Sequence, residues 1–260
     1  MLNRVIAIEL IRIMTTGRTA PLLCACVDHD ARQAGEFVVK VLGAPTGANR
    51  ALFELIGSRL ASHFGILVPD PAVVQLEQDF VDVLSEHLPE RASSLQDSVG
   101  PNFGSRVLSP MATWLVDRII PDAMFRDAAN IFAFDALIQN PDRRAENPNL
   151  FTQGDNIYAY DHETSFSFLM ALGKSAEPWN LEREGYLDRH VFYSRLKSKE
   201  IDLRDFADRL NDLSPRALAT MREEIPAEWM HTDLERIETH LLDVRKNSGK
   251  FVEQVKRRLA

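Results

Sequence analysis

Cysteine and long apolar runs are scarce in this sequence of 260 residues, and positively charged residues are outnumbered by negatively charged ones. The two cysteines, Cys24 and Cys26, alternate within an apolar run, so they share one face of a strand, where a disulfide between them would be strained. No run of about 18 apolar residues is present to span a membrane. Arg4, Glu9 and Arg12 interrupt the N-terminal run that a signal peptide would need. We therefore expect a cytoplasmic protein with reduced thiols and no membrane contact.

The charge balance excludes a surface built for polyanions. The chain has 30 Lys and Arg against 38 Asp and Glu, a formal net charge of −8. Such a surface repels nucleic-acid phosphates, so we expect no direct nucleic-acid binding. With 45% hydrophobic and 26% charged residues, the composition is that of a folded protein with a sizeable core.

The first part of the sequence predicts mainly strands. Apolar and β-branched runs between turn-forming segments predict strands at residues 4–14, 21–27, 36–42, 72–76 and 103–108, the first three antiparallel. Apolar residues at helical spacing from Leu52 to Phe64 predict one helix with Asn49 as its cap. The polar segment 88–101 predicts a long surface loop near a boundary between two lobes.

The rest of the sequence predicts mainly helices. An apolar stretch at residues 121–139 predicts a buried central helix, and Gly154-Asp155-Asn156 between apolar runs is typical of a hairpin. Ser214-Pro215 and Thr232-Asp233-Leu234-Glu235 predict helix starts. The expected fold is α+β with two lobes: an antiparallel sheet with one helix over about residues 1–110, and a mainly helical lobe over about 111–260.

Lys40 is a candidate functional cation. It shares its strand face with Val38 and Leu42, and a buried ammonium group needs an anion beside it. Glu54, on the predicted helix that follows, is in a position to supply that anion. The alternative is an edge-strand lysine whose ammonium group reaches water.

Three oxygen-bearing side chains follow the central helix and its hairpin: Asp142, Asn147 and Asp161. Phosphoryl transfer needs a carboxylate at the accepting hydroxyl, oxygen ligands for Mg²⁺ and a fixed cation on the phosphates. Asp142 fits the first requirement, as the carboxylate. Asn147 and Asp161 fit the second, as Mg²⁺ ligands, and Lys40 fits the third, as the cation. The other interpretation is that these residues only form polar turns and end a strand. The same five-residue step recurs at Asp135 and Asn140 within the helix, where we assign it no function.

The sequence resembles the HipA-like kinases. The resemblance rests on FDALIQNPDRRAENPNLF at residues 134–151 and YAYDHETSF at 158–166, because the family core reads FD, a few apolar residues, N-x-D-R-H-x-x-N, an apolar strand and Asp. Three further segments resemble the N-lobe of that family. They begin at residues 17, 36 and 50 and read GRTAPLLCACV, EFVVK and RALFELIGSRLASHFGILVP. The resemblance extends from about residue 16 to the end and implies one HipA-like kinase domain over residues 1–260 with a protein-kinase-like fold.

The resemblance also implies roles for the candidate residues. Asp142 is the expected catalytic aspartate, and Asn147 and Asp161 are the expected Mg²⁺ ligands. Lys40 is expected to bind the phosphates of ATP, with Glu54 orienting it.

The loop that contains Thr16, Gly17 and Arg18 is expected to cover the phosphates of ATP. Some relatives phosphorylate themselves in this loop. The implied reaction is Mg²⁺-dependent transfer of the γ-phosphoryl group of ATP to a Ser or Thr hydroxyl of a protein. Toxin members of the family have an extra N-terminal segment and act beside a DNA-binding antitoxin. This sequence begins close to the first predicted strand, so it offers no support for an antitoxin-like partner.

Two departures from the family pattern keep other functions open. Arg144 stands where the family usually has His, and the phosphate loop has a single glycine, Gly17, which leaves its backbone donors less free to wrap phosphates. One alternative is a pseudokinase or nucleotide-binding scaffold without turnover. Another is a kinase that phosphorylates a hydroxyl of a small molecule or lipid.

Overall fold

The computed structural model describes residues 2–14, 20–43, 47–115, 118–170 and 177–260, with the backbone alone at residues 47 and 48. The chain divides into two compact units. Unit 1 comprises Met1–Leu55, Pro69–Ser109 and Glu224–His231, and unit 2 comprises Ile56–Val68, Pro110–Glu223 and Thr232–Ala260. The late segment joins unit 1 because the fully buried Trp229 donates a hydrogen bond from its indole nitrogen to the carbonyl of Pro101, at 3.0 Å.

A closed five-stranded barrel forms the frame of unit 1. Its strands are β1 (Asn3–Ile13), β2 (Leu22–Val27), β3 (Gln33–Lys40), β4 (Pro71–Leu76) and β5 (Gly100–Arg106). The antiparallel pairing of β1 with β2 and of β2 with β3 confirms the prediction. The prediction of a purely antiparallel sheet was wrong, because β1 and β4 run parallel. Residue patterns locate strands but do not say which strands pair after a crossover.

Alternating side chains of the strands fill the barrel. The buried cluster includes Val5, Ala7, Leu22, Cys24, Cys26, Phe37, Val39, Ala72, Val74 and Leu76. The two cysteines lie inside on one face of β2 as free thiols, and burial raises the pKa of each thiol to about 12. They are therefore inert packing groups, because the thiol and not the thiolate is present at neutral pH.

Helices in unit 1 differ from the prediction in three respects. They are α1 (Gly47–His63), which continues into unit 2, α2 (Gln78–His87) and α3 (Ala92–Gln96). Because α1 begins at Gly47, Asn49 is not its cap. No helix was predicted where α2 lies. The surface loop expected at residues 88–101 instead holds a 3₁₀ turn and α3, which bury Leu95 against the barrel core. Elements this short show too little periodicity to be recognised.

Unit 2 combines one buried helix, a small sheet and a helical region. The helices are α4 (Asp122–Leu137), α5 (Tyr193–Leu196), α6 (Arg204–Asp212), α7 (Pro215–Arg222), α8 (Asp233–Lys246) and α9 (Ser248–Leu259). The sheet has the order β6 (Ala112–Thr113), β7 (Leu150–Gln153) and β8 (Asn156–Ala159). The predicted central helix and hairpin are thus confirmed. Most of α4 is buried, which agrees with its largely apolar sequence.

The two predicted helix starts had opposite outcomes. Ser214 caps α7, since its hydroxyl accepts a hydrogen bond from the backbone nitrogen of Ala217 at 3.2 Å. Thr232 makes no such bond, because its backbone is already helical rather than extended. None of the described helices is both long and apolar enough to cross a membrane.

Candidate active site

Lys40 and Glu54 form an ion pair within unit 1. Lys40 ends β3, where it lies opposite Phe103 of β5, and its ammonium group donates to Oε1 of Glu54. The Glu54 side chain is only 3% exposed and that of Lys40 is 19% exposed. The expected pair is therefore present, and it satisfies the requirement that a buried carboxylate has a cation beside it.

Polar contacts to β5 and to the segment just before β5 hold the backbone that follows Lys40. The amide of Leu42 donates to the side-chain oxygen of the fully buried Asn102, at 2.9 Å. The amide of Gly43 donates to the hydroxyl of Ser98, at 2.8 Å. A Cβ at Gly43 would lie 1.9 Å from the carbonyl oxygen of Ser94, so this close approach requires glycine. Lys40 thus sits on a fixed backbone.

Asp142 and Asn147 are in direct contact in the loop after α4. The side-chain nitrogen of Asn147 donates to Oδ2 of Asp142 at 2.9 Å. The backbone nitrogen of Asp142 donates to the side-chain oxygen of Asn140 at 3.1 Å. With its nitrogen facing Asp142, Asn147 presents its amide oxygen in another direction. The loop thus offers a carboxylate and a separate oxygen donor, both half-buried.

Arg144 occupies the other oxygen of Asp142. Its guanidinium donates to Oδ1 at 3.1 Å, and the two side chains are 37% and 26% exposed. The backbone of Arg144 also closes the loop, since its nitrogen donates to the carbonyls of Asp142 and Asn147. The residue that departs from the family pattern is therefore a direct neighbour of the expected catalytic group.

Arg143 joins three points of this region. It is 1% exposed, and its NH1 donates to the carbonyl of Asn149 at 2.7 Å and to that of Tyr160 at 3.1 Å. Tyr160 immediately precedes Asp161. One guanidinium therefore holds together the loop of Asp142, the start of β7 and the end of β8.

Asp161 has a left-handed backbone, with φ of +61°. Few residues other than glycine adopt this conformation, and Asp is among those that tolerate it best. The next residue, His162, is fully buried and packs closely against α1, where a Cβ at Gly57 would lie 2.5 Å from the Cβ of His162. The turn that presents Asp161 is thus held by packing as well as by Arg143.

Asp135 is missing from the predicted site residues, and the Asp135–Asn140 step extends beyond α4, which ends at Leu137, instead of lying within the helix as predicted. The fully buried Asp135 carboxylate accepts hydrogen bonds from Asn140 at 3.1 Å, Arg143 at 2.6 Å and His190 at 2.9 Å. The available signal was an aspartate on the buried face of an apolar helix, which requires partners. His190 lies 55 residues away along the chain, and no spacing rule could have identified it.

The comparison with protein families decides the identity of this arrangement. A model of the HipA-like kinases matches residues 7–255. The chain belongs to the HipA-like kinase family. Membership in this family supports phosphotransfer of the kinase type and implies the use of ATP.

Solved structures agree with the family on the fold. A crystal structure of CtkA, a proinflammatory kinase of Helicobacter pylori, is similar to the HipA-like kinase described here, with a TM-score of 0.54 over 98% of each chain. Sequence identity is 10%, so this likeness concerns the fold alone. No sequence among the curated proteins matches the chain.

The structure brings the predicted site residues into two groups. Lys40 contacts Glu54 in unit 1, and Asp142 contacts Asn147 in unit 2, with Asp161 beside a carbonyl held by Arg143. Thr16, Gly17 and Arg18 lie outside the described residues. The donor set suits Mg²⁺, which prefers the hard oxygens of carboxylates and amides, because the nitrogen of Asn147 is already engaged and its oxygen remains for a metal.

Proposed function

We propose that this HipA-like kinase transfers the γ-phosphoryl group of ATP to a Ser or Thr hydroxyl of a protein. We further propose that the fold has the two kinase-like lobes expected from the sequence, over about residues 1–110 and 111–260. Free thiols at Cys24 and Cys26 favour a reducing, cytoplasmic location.

Asp142 is the proposed catalytic residue. Its carboxylate orients the acceptor hydroxyl and accepts its proton as the oxygen attacks the γ-phosphorus. The observation that carries this assignment is the hydrogen bond from Asn147 to Oδ2, because it fixes the plane of the carboxylate. A fixed carboxylate needs no reorganisation when the hydroxyl arrives.

Lys40 is the proposed phosphate-binding cation. Glu54 holds its ammonium group at the end of β3, and the 19% exposure of the Lys40 side chain leaves part of it accessible. A cation held in this way neutralises charge on the nucleotide phosphates. Glu54 contributes by orientation, since its own carboxylate is almost fully buried.

Asn147 and Asp161 are the residues that would hold Mg²⁺. When bound, Mg²⁺ would neutralise charge on the phosphates. Two features fix the backbone position that carries the Asp161 carboxylate: the left-handed conformation of Asp161 and the hydrogen bond from Arg143 to the preceding carbonyl. The loop of Thr16, Gly17 and Arg18 is proposed to cover the phosphates, and its threonines are proposed sites of self-phosphorylation.

The test is the intact mass of the protein after incubation with Mg²⁺, ATP and a protein acceptor mixture. Wild type is expected to gain phosphate or to label acceptors, and Asp142→Ala to do neither. Asp155→Ala is the matched control, because Asp155 is exposed in the β7–β8 turn. Equal phosphate transfer by wild type and Asp142→Ala would contradict the role of Asp142.

The contact between Arg144 and Asp142 favours a second candidate, a pseudokinase that binds nucleotide without turnover. A guanidinium on Oδ1 competes with an acceptor hydroxyl for the same carboxylate. On this alternative, ATP raises the melting temperature of wild type and of Asp142→Ala equally, and neither transfers phosphate. Phosphate transfer by wild type to any Ser or Thr hydroxyl would exclude it, whereas transfer only to a small molecule or lipid would change the acceptor class.

A further inference from the structure

Asp135 has no access to solvent, yet its carboxylate accepts three hydrogen bonds close to the proposed catalytic loop. It lies in the last turns of α4, where Oδ2 accepts from Nε of Arg143 at 2.6 Å and from Nε2 of His190 at 2.9 Å. Oδ1 accepts from Asn140 at 3.1 Å. The side chains of Asp135 and Arg143 are 0% exposed and that of His190 is 1% exposed. None of the three is placed to touch a substrate.

The protonation states of this group follow from its contacts. Burial alone would raise the pKa of Asp135, but the charge of Arg143 and the bond from His190 hold that pKa below its usual value. Burial lowers the pKa of His190. The amide of Phe192 donates to Nδ1 of His190 at 3.2 Å, so Nδ1 is an acceptor and the proton resides on Nε2, facing Asp135. The group is therefore an ionised Asp–Arg pair with a neutral histidine.

The consequence of this arrangement is a guanidinium with little freedom. Asp135 holds Nε of Arg143, and NH1 then reaches the carbonyls of Asn149 and Tyr160. His190 adds a second hold on the same loop, because the amide of the following Val191 donates to the carbonyl of Arg143 at 3.0 Å. Arg143 follows Asp142 directly, and Tyr160 precedes Asp161. The fixed points therefore flank the residues proposed for catalysis and metal binding.

We propose that Asp135 and His190 are positioning residues for phosphoryl transfer, an inference that rests on the proposed function. They lock Arg143 in the one orientation that sets the loop of Asp142 and the backbone before Asp161. Their removal misplaces the reacting groups while the fold persists. Groups that orient catalytic residues from outside commonly contribute about 10- to 100-fold in rate.

The test compares two substitutions of His190. His190→Gln keeps a side-chain donor for Asp135, whereas His190→Phe keeps a buried ring without the donor. We expect kcat to fall about 10- to 100-fold in His190→Phe, with KM for ATP little changed, and to recover largely in His190→Gln. The matched control is His240→Phe, because His240 is another buried histidine, bonded to the carbonyl of Leu137 rather than to Asp135. It should lower the melting temperature without the loss of kcat.

Amide hydrogen exchange provides a second measurement that does not depend on catalysis. Exchange at residues 142–149 and 160–162 should accelerate in His190→Phe and stay near wild type in His190→Gln. If His190→Phe does not fold, Arg143→Lys takes its place, because it keeps a cation for Asp135 but loses the planar fork that reaches both carbonyls.

Three results would overturn the inference: wild-type kcat in His190→Phe, equal losses in His190→Gln and His190→Phe, or an equal loss in His240→Phe. If wild type transfers no phosphate, the proposed function fails on its own, and the exchange comparison still decides the positioning role. Unchanged exchange in His190→Phe would then contradict it.

Discussion

Two buried ion pairs, one in each unit, are built in different ways. In unit 1, Lys40 meets Glu54 as a point charge on a flexible stem, and its side chain keeps 19% exposure. In unit 2, Arg143 meets Asp135 with no exposure on either side; His190 donates a further hydrogen bond to Asp135, and Arg143 donates one to the carbonyl of Asn149. A planar guanidinium is suited to fixing a backbone, whereas an ammonium group can adjust to a ligand. The comparison indicates that unit 1 supplies an adaptable cation and unit 2 a rigid frame.

The largest expected effect is a difference in the free energy of unfolding that is lost when the cation of each pair is replaced. Arg143→Met should cost about 3–5 kcal/mol in the free energy of unfolding, because it leaves the carboxylate of Asp135 buried without its cation. Lys40→Met should cost less, about 1–3 kcal/mol, because water can reach this pair. Urea denaturation of both variants measures the difference. Equal losses in the free energy of unfolding would contradict the distinction between a rigid buried pair and an adaptable, partly exposed one.

A second difference between the units concerns the effect of low pH on stability. The buried histidines among the described residues, His162, His190 and His240, all lie in unit 2. Burial lowers the pKa of His240 to about 4 from 6.5. The unfolded chain then binds a proton that the folded chain rejects, so stability is full above pH 6.5 and falls as the pH drops towards 4.

His240 alone should contribute about 3 kcal/mol to this loss between pH 7 and pH 4. His240→Gln keeps a donor for the carbonyl of Leu137 but does not titrate, so the pH dependence of its unfolding free energy should be flatter by that amount. Urea denaturation at several pH values measures both slopes. Identical slopes in the two proteins would refute the assignment.

Gly57 offers a way to perturb the rigid frame without removing a polar group. A methyl group there would lie 2.5 Å from the Cβ of His162, directly after Asp161. Gly57→Ala should cost about 1–3 kcal/mol through overpacking, and phosphate transfer should fall with it as Asp161 shifts. Gly185→Ala is the control, because no described atom beyond the glycine and its two chain neighbours lies within 4 Å of the added carbon. Equal behaviour of the two variants in thermal unfolding and transfer assays would contradict the account.

Sequence reasoning recovered the parts of this molecule that depend on local pattern. The β1–β3 meander, α4, the β7–β8 hairpin and the contact of Lys40 with Glu54 were all expected. It failed where the structure depends on long-range pairing, as in the parallel β1–β4 pair, or on elements too short to show a period, such as α3.

The candidate site shows the same division. Asp142, Asn147 and Asp161 occur in a recognisable order, and the direct contact of Asp142 with Asn147 follows from their proximity in the chain. Asp135 and His190 meet through the fold alone, across 55 residues. A motif therefore identified the groups proposed to react, while the groups that hold them required the structure.

The most direct test of the central claim is the separation of kcat from ATP affinity in Asp142→Asn and Lys40→Met. We predict that Asp142→Asn lowers kcat by at least about 100-fold and leaves ATP affinity near wild type, because Asp142 acts on the acceptor hydroxyl. Lys40→Met should lower kcat and also weaken ATP binding. Phosphate transfer by Asp142→Asn at the wild-type rate would contradict the assignment of this loop as the catalytic site.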